Sequence, residues 1–329
     1  MGDLAVPPGG GGTVPGAWDE YWRLSRETSA LKGGGPLDEV LAQFWQRILG
    51  RPRAAGTRLL DIACGNGAVT AAAVGTGAGS AGGMGLFGID RAEEAVRAYR
   101  ARFPAGTGVA GDARRLPFRD RCFDLVASQF GVEYAGEAAF GEAARVTAPG
   151  GLLAAVVHRT GGAVHRECAA NAAAMARVSA SGILPAAREV FRRGASASRG
   201  QGSRAAFRDA DARLAAAVRQ VEGVLAEFGA GVAGGTVQRL YQDLAHMYGR
   251  IAAYDPAEVA AWADHMAREI EAYSRRMEAA LGAAMDEDGI ARAAAQCEAG
   301  GLAVLAREEL LVGLEGGEPA AWVLVCECR

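Results

Sequence analysis

Leu59-Leu60-Asp61-Ile62-Ala63-Cys64-Gly65-Asn66-Gly67-Ala68-Val69 is an apolar run that ends in an acid, passes through a turn of small residues and opens a helical pattern. Gly65 and Gly67 let the backbone pass close to a ligand, because no Cβ stands in the way. Asp61 can accept a hydrogen bond from a cationic amine or tie the loop's own N–H groups. A nicotinamide-binding fingerprint needs a third glycine where this chain has Thr70, and a phosphate-cradling P-loop needs a lysine that the segment lacks. Both phosphate readings are therefore disfavoured.

Working outward, residues 57 to 158 alternate short apolar runs with helical stretches. Arg58–Ala63, Gly85–Asp90, Gly108–Asp112, Phe123–Gln129 and Gly151–His158 read as strands, with helices near 67–75, 91–103 and 137–147. Strands apolar on both faces and separated by helices predict a doubly wound α/β fold, with a parallel sheet covered on both sides. Residues 160 to 295 change to alanine-rich helical spacing, as in Leu214, Val218, Val221, Leu225 and Phe228. Strand pattern returns at Leu302–Val312 and Ala320–Cys328 around a turn at Gly313–Pro319, which predicts a hairpin completing the sheet. The division expected is a disordered tail over 1–16, an N-terminal helical lid over 17–56, an α/β core over 57–159, a helical insertion over 160–290, and a last helix with the hairpin over 291–329. Trp18, Tyr21, Trp22, Leu41, Phe44, Trp45 and Ile48 carry two short amphipathic helices in the second of these.

Two further acids follow strands. Asp90 ends Gly88-Ile89-Asp90, where it can bind two ribose hydroxyls or cap the helix that starts Arg91-Ala92-Glu93-Glu94. Asp112, in Gly111-Asp112-Ala113, can accept from an exocyclic amine while Leu116-Pro117-Phe118 sandwich a purine.

Taken with Phe123-Asp124-Leu125-Val126 and Ala148-Pro149-Gly150-Gly151, these motifs resemble, in order and spacing, the class I S-adenosylmethionine-dependent methyltransferases. The ubiquinone-type branch that acts on small molecules looks nearest. The resemblance covers about residues 55 to 158 and the terminal hairpin, and departs from the usual pattern at Ala63, where a first glycine is common. It implies a Rossmann-like, seven-stranded, mostly parallel sheet whose last strand is antiparallel, with S-adenosyl-L-methionine across the carboxyl ends of the first strands. Asp61 and the backbone of Ala63, Cys64, Gly65, Asn66 and Gly67 would hold its methionine part. Asp90, with Arg91 beside it, would hold the ribose, and Asp112 with Ala113 the adenine. Ser128, Gln129 and Phe130 would lie beside the sulfonium and methyl.

Methyl transfer is an in-line displacement that asks mainly for alignment and exclusion of water, although a hydroxyl or acidic carbon acceptor benefits from a base. Glu133 and His158 are the candidate acceptor contacts, with Tyr134 nearby. The Asn/Asp-Pro-Pro-Tyr/Phe motif of base and amide methylation is absent after Asp124. The acceptor expected is a small apolar or aromatic molecule, with Tyr241, His246, Met247, Tyr248, Tyr254, Trp262 and His265 of the insertion as its lining. Arg188, Arg192, Arg193, Arg199, Arg204, Arg208, Arg213 and Arg219 form the one basic stripe, which supports an alternative RNA acceptor. A non-catalytic, cofactor-binding regulatory subunit is a third reading.

Composition narrows rather than names. The 329 residues carry 35 basic and 38 acidic side chains, for a net charge of -3, so nothing pulls the whole chain towards nucleic acid or membrane. Alanine makes up roughly a fifth, glycine adds 47 and Lys32 is the only lysine, a bias that GC-rich coding explains. Six scattered cysteines fit a reducing cytoplasm better than a disulfide framework. Cys326-x-Cys328 has no second pair or nearby histidine, so no metal is expected. No apolar run is long enough to cross a membrane, and the start lacks a basic leader.

Overall fold

The computed structural model describes residues 18, 21–22, 35–51, 56–75, 83–198, 200, 202–313 and 317–329. The tail expected at 1–16 and most of the first N-terminal helix lie outside these residues, although Trp18, Tyr21 and Trp22 are helical. The chain divides into two compact units, one of Met1–Thr160 with Ala279–Arg329 and one of Gly161–Glu278.

The first unit is built on a seven-stranded sheet. In chain order its strands are β1 (Arg58–Ile62), β2 (Gly85–Asp90), β3 (Thr107–Ala110), β4 (Phe123–Gln129), β5 (Thr147–His158), β6 (Leu302–Val312) and β7 (Glu318–Cys328). Their order across the sheet is β3-β2-β1-β4-β5-β7-β6. β1 to β5 pair in parallel, whereas β7 runs antiparallel between β5 and β6. This is the doubly wound parallel sheet, completed by a hairpin, that the strand pattern predicts, with the seven strands and antiparallel last strand that the resemblance implies. Boundaries shift slightly. β3 ends at Ala110, and Gly111 N–H donates to the Asp90 carbonyl as its last tie to β2, leaving Asp112 in a loop. β5 starts at Thr147, which pairs with Phe123.

Side-chain alternation then assigns the two faces. Leu60, Ile62, Val126, Leu153, Ala155, Val157, Leu324 and Cys326 pack with Phe140 and Ala143 of α4 (Ala138–Val146) and with Ile290 and Cys297 of α10 (Glu287–Ala299). Leu59, Leu125, Ala127, Ala154, Val156 and Val323 pack the other way, against α1 (Pro36–Leu49) and α2 (Ala68–Gly75). α1 starts on Pro36, carries Asp38 and Glu39 in its first turn, and buries Leu41, Phe44, Trp45, Ile48 and Leu49 at helical spacing. α3 (Glu93–Arg102) completes the cover through Tyr99, which is fully buried.

The second unit is helical: α5 (Ala163–Ala180), α6 (Ile183–Ser198), α7 (Arg204–Phe228), α8 (Thr236–Tyr248) and the part of α9 (Pro256–Ala283) up to Glu278. Its own core holds Met175, Val178, Ile183, Phe191, Leu214, Val221, Leu240 and Leu244. Ala233 adopts the left-handed conformation, φ 52°, and its N–H donates to buried Asn171 Oδ1 at 2.9 Å. No helix among the described residues is long and apolar enough to cross a membrane.

Phe140 is fully buried at the centre of the α4–sheet–α10 layer. Phe140→Ala is expected to cost about 3–5 kcal/mol, read as a fall in the urea midpoint with the m-value unchanged.

Candidate functional site

Strand order reverses direction beside β1: β2 and β3 lie on one side of it, β4 and β5 on the other. In open α/β sheets the crevice at the carboxyl ends of two such strands is where ligands bind. The loop 63–67 leaves β1 there and the segment 130–135 leaves β4.

The β1 loop is held from within. Asp61, only 2% exposed, accepts from Thr70 N at 3.1 Å and from Thr70 Oγ1 at 2.9 Å. Of its two possible roles, the structure shows the second: it ties the loop to the first turn of α2. Thr70 thus stands where a third glycine would be because it supplies two donors to a buried carboxylate, and the Tyr99 hydroxyl lies 3.3 Å from its Oγ1. Ala63, Gly65 and Gly67 all have positive φ, of 52°, 53° and 87°. A Cβ on Gly67 would stand 2.3 Å from the Phe103 ring, and one on Gly65 would stand 2.5 Å from the Trp22 indole. Both glycines make room for aromatic rings of the protein itself.

Asp90 stands at the end of β2. Its Oδ2 accepts from Gly65 N and its Oδ1 from Ala92 N, each at 2.9 Å. Since Ala92 is the N-cap of α3, Asp90 does not cap that helix but braces the glycine loop, with exposed Arg91 following it. Asp112 is half-exposed and gripped by Arg114 at 2.6 Å, which holds its carboxyl below the usual range. Ala113 packs against the core. Leu116 is buried and Phe118 meets Phe123 and Phe87 edge to face, so these two pack with the core and not as the purine sandwich that their spacing invites. The loop bearing Asp112 is anchored by Arg145, whose guanidinium donates to Glu142, Asp120 and the carbonyls of Leu116 and Phe118.

At the end of β4, Ser128 Oγ donates to the Ile62 carbonyl and accepts from Val132 N, a strut between the two crevice strands. Gln129 Oε1 accepts from the Trp45 indole of α1. Phe130 has φ 51° and packs its ring 4.7 Å from the His158 ring. The adjoining turn, Val132–Ala135, brings Glu133 to His158. Glu133 Oε1 lies 2.7 Å from His158 Nδ1 and accepts from the His158 backbone N–H at 3.0 Å. Both side chains are nearly fully buried, and Glu133 Oε2 has no hydrogen-bond partner among the described residues. An unpartnered buried oxygen of this kind costs about 1–3 kcal/mol.

The electrostatics of the crevice are one-sided. Burial, opposed by the Thr70 bonds and reinforced by the charge of Asp90, pushes Asp61 from its ordinary 3.8 up to about 7. Burial and then the charges of Asp90 and Asp61 push the Cys64 thiol well up. Two acids this close, each raising the other's cost of ionisation, favour a positively charged occupant.

Sequence spacing missed Trp22, Trp45, Thr70 and Tyr99. The signal available was the density of aromatics before residue 50 and the hydroxyl in the glycine pattern, neither of which identifies a partner. In the second unit, Tyr241 donates to Glu222, Tyr248 bonds Asp211, Tyr254 packs on Phe191, and Trp262 and Met247 join the core. His246 and His265 are exposed. Arg188 pairs with Asp264, and Arg192 and Arg193 pair with Glu189. Arg204, Arg208, Arg213 and Arg219 are exposed on α7, and Arg199 lies outside the described residues.

Residues 60–155 match the family described as a methyltransferase domain. A demethylmenaquinone methyltransferase of Mycobacterium sp. (strain KMS) is 33% identical over 140 residues, 41% of this chain and 47% of the relative. Another, from Beutenbergia cavernae, is 36% identical over 143 residues, 43% of this chain and 55% of the relative. The chain thus spans about half the length of the curated relatives it matches. A solved complex of the Haloferax volcanii Trm112 methyltransferase activator with a methyltransferase is 27% identical, covers 43% of this chain and 60% of that chain, and has a TM-score of 0.35.

Because the folded-state pKa of Asp61 is raised, the native state binds more protons than the unfolded one between pH 3.8 and about 7, and stability falls as pH rises through that window. The full effect is on the order of 4 kcal/mol. Asp61→Asn is expected to flatten this slope, measured by denaturant unfolding at steps from pH 4 to 8. Gly67→Ala is expected to cost at least about 1–3 kcal/mol from its backbone conformation alone.

Proposed function

From a chain whose residues 60–155 match a methyltransferase domain, we propose a class I S-adenosylmethionine-dependent methyltransferase whose acceptor is a small apolar or aromatic molecule. One observation carries the cofactor reading: a crevice at the strand-order reversal that joins a positive-φ glycine loop to the acids Asp61 and Asp90 at the ends of β1 and β2. The residues fit such a cofactor, whose sulfonium and ammonium are cationic and whose ribose offers two hydroxyl donors. When bound, it supplies an electrophilic methyl carbon.

The chain's own residues have separable tasks in this reading. The backbone of Ala63–Gly67, held by the Asp61–Thr70 bonds, meets the methionine part. Asp90 takes the ribose, its orientation fixed by Gly65 N and Ala92 N. Asp112 and Ala113 meet the adenine, on the loop that Arg145 anchors. Ser128, Gln129 and Phe130 close the side beside β4, and Glu133 and His158 contact the acceptor. The menaquinone-precursor methylation named for the relatives supports a ring-shaped apolar acceptor.

Calorimetric titration of the full chain with S-adenosylmethionine and S-adenosylhomocysteine tests this. Binding is expected for both, weakened about 10- to 100-fold by Asp90→Ala through loss of charge-assisted hydrogen bonds. Absence of binding, or binding indifferent to Asp90→Ala, overturns the proposal.

A further inference from the structure

Resting on that reading, we propose that Glu133 and His158 form a proton-accepting pair, so that the acceptor is an aromatic ring bearing an ionisable hydroxyl and not an amine or a thiol. The geometry divides the roles. Glu133 Oε1 accepts the His158 backbone N–H at 3.0 Å and faces Nδ1 of the same residue at 2.7 Å, so one carboxylate oxygen fixes both the main chain and the ring. A proton held on Nδ1 by that oxygen leaves the lone pair on Nε2. His158 is the proton acceptor, and Glu133 is a positioning residue that also balances the imidazolium charge.

The surroundings define the substrate. The His158 ring is flanked by Phe130 at 4.7 Å and by the edge of Tyr134 at 5.7 Å, and Tyr134 in turn meets Trp18 at 5.6 Å. Glu133 and the Tyr134 phenol are the titratable groups that touch the imidazole on these elements. Flat apolar walls suit a ring, and a single base among them suits a single acidic proton.

Acceptor chemistry separates the classes. A thiol with a pKa near 8.5 is ionised to a few per cent at neutral pH, and an amine attacks as the neutral base, shedding its proton afterwards. A phenolic hydroxyl with a pKa near 10 is only about 0.1% ionised at pH 7, so it gains most from a base at hydrogen-bond distance. In the step proposed, the acceptor oxygen forms a bond to the methyl carbon while the carbon–sulfur bond breaks. Sulfur keeps that electron pair, and the hydroxyl proton moves to His158 Nε2. The products are the methyl ether, the neutral thioether and imidazolium, which returns its proton to solvent on release.

The test uses probes of known ionisation on the full chain saturated with S-adenosylhomocysteine. 4-Nitrophenol absorbs at longer wavelength as the anion, so the spectrum of the bound probe reports where its proton sits. Binding is expected to raise the ratio of anion to neutral probe at least tenfold over free solution. His158→Gln and Glu133→Gln should abolish that rise, and Glu133→Asp should restore part of it, each compared at full saturation with S-adenosylhomocysteine. With S-adenosylmethionine, 2-naphthol should be methylated, with kcat falling at least 100-fold in His158→Gln at similar KM, and 2-naphthylamine and 2-naphthalenethiol should show no such dependence on the pair.

A probe bound in its neutral form, no binding of the probe, or equal loss for all three naphthyl acceptors overturns the proposal while leaving the cofactor reading intact. So does a Glu133→Gln effect confined to S-adenosylhomocysteine affinity, which would give the unpartnered Oε2 to the cofactor. Failure to bind S-adenosylhomocysteine at all defeats the underlying reading instead.

Discussion

A carboxylate buried against one threonine sets the terms for the crevice. Asp61 sits at the end of the central strand β1 and accepts from Thr70's amide and hydroxyl, while burial works against its ionisation. Those two bonds fix the first turn of α2 relative to β1, and hence the path of residues 63–67 between them. Asp90 then fastens the loop from the neighbouring strand through Gly65 N, and Ser128 does the same for β4 through the Ile62 carbonyl. Three adjacent strand ends are locked to one another by side chains that each take a backbone partner. A water-exposed acid could do the same work at lower cost, so the expense of burying this one points to a site whose electrostatics matter.

The sheet was legible because parallel strands buried on both faces read as uninterrupted apolar runs, and because the acids at 61, 90 and 112 mark where three of those runs end. What spacing could not reach was which atoms those acids meet. Thr70 read as a defect in a glycine pattern, yet it is the hydrogen-bond partner of Asp61. Gly65 and Gly67 read as clearance for a ligand, but the volumes they leave are filled by Trp22 and Phe103, residues far off in sequence. Leu116 and Phe118 read as ligand walls but turn inward, Phe118 meeting Phe87 and Phe123 edge to face. In each case the local pattern was right about shape and silent about the tertiary partner.

Glu133 and His158 show the opposite relation. Separated by a helix and a strand, they were candidates only as single residues near the end of β4 and the end of β5. Parallel pairing of those strands, with Gln129 opposite Val156, brings the turn after one beside the last residue of the other. The pair is therefore a product of register, and a slip of one residue in β5 would turn His158 to the opposite face.

The second unit enters the chain through a narrow opening. His158 and Thr160 each exchange a backbone hydrogen bond with Met285, and Arg159 bridges to the same residue, so the strand leading out and the segment returning are zipped side by side. Loop closure grows only logarithmically with the length enclosed, so a stem of this kind tolerates almost any cargo between its two rails. The strands on either side of this stem take their register from their own pairings, so the length of chain enclosed between the two rails can change at little closure cost.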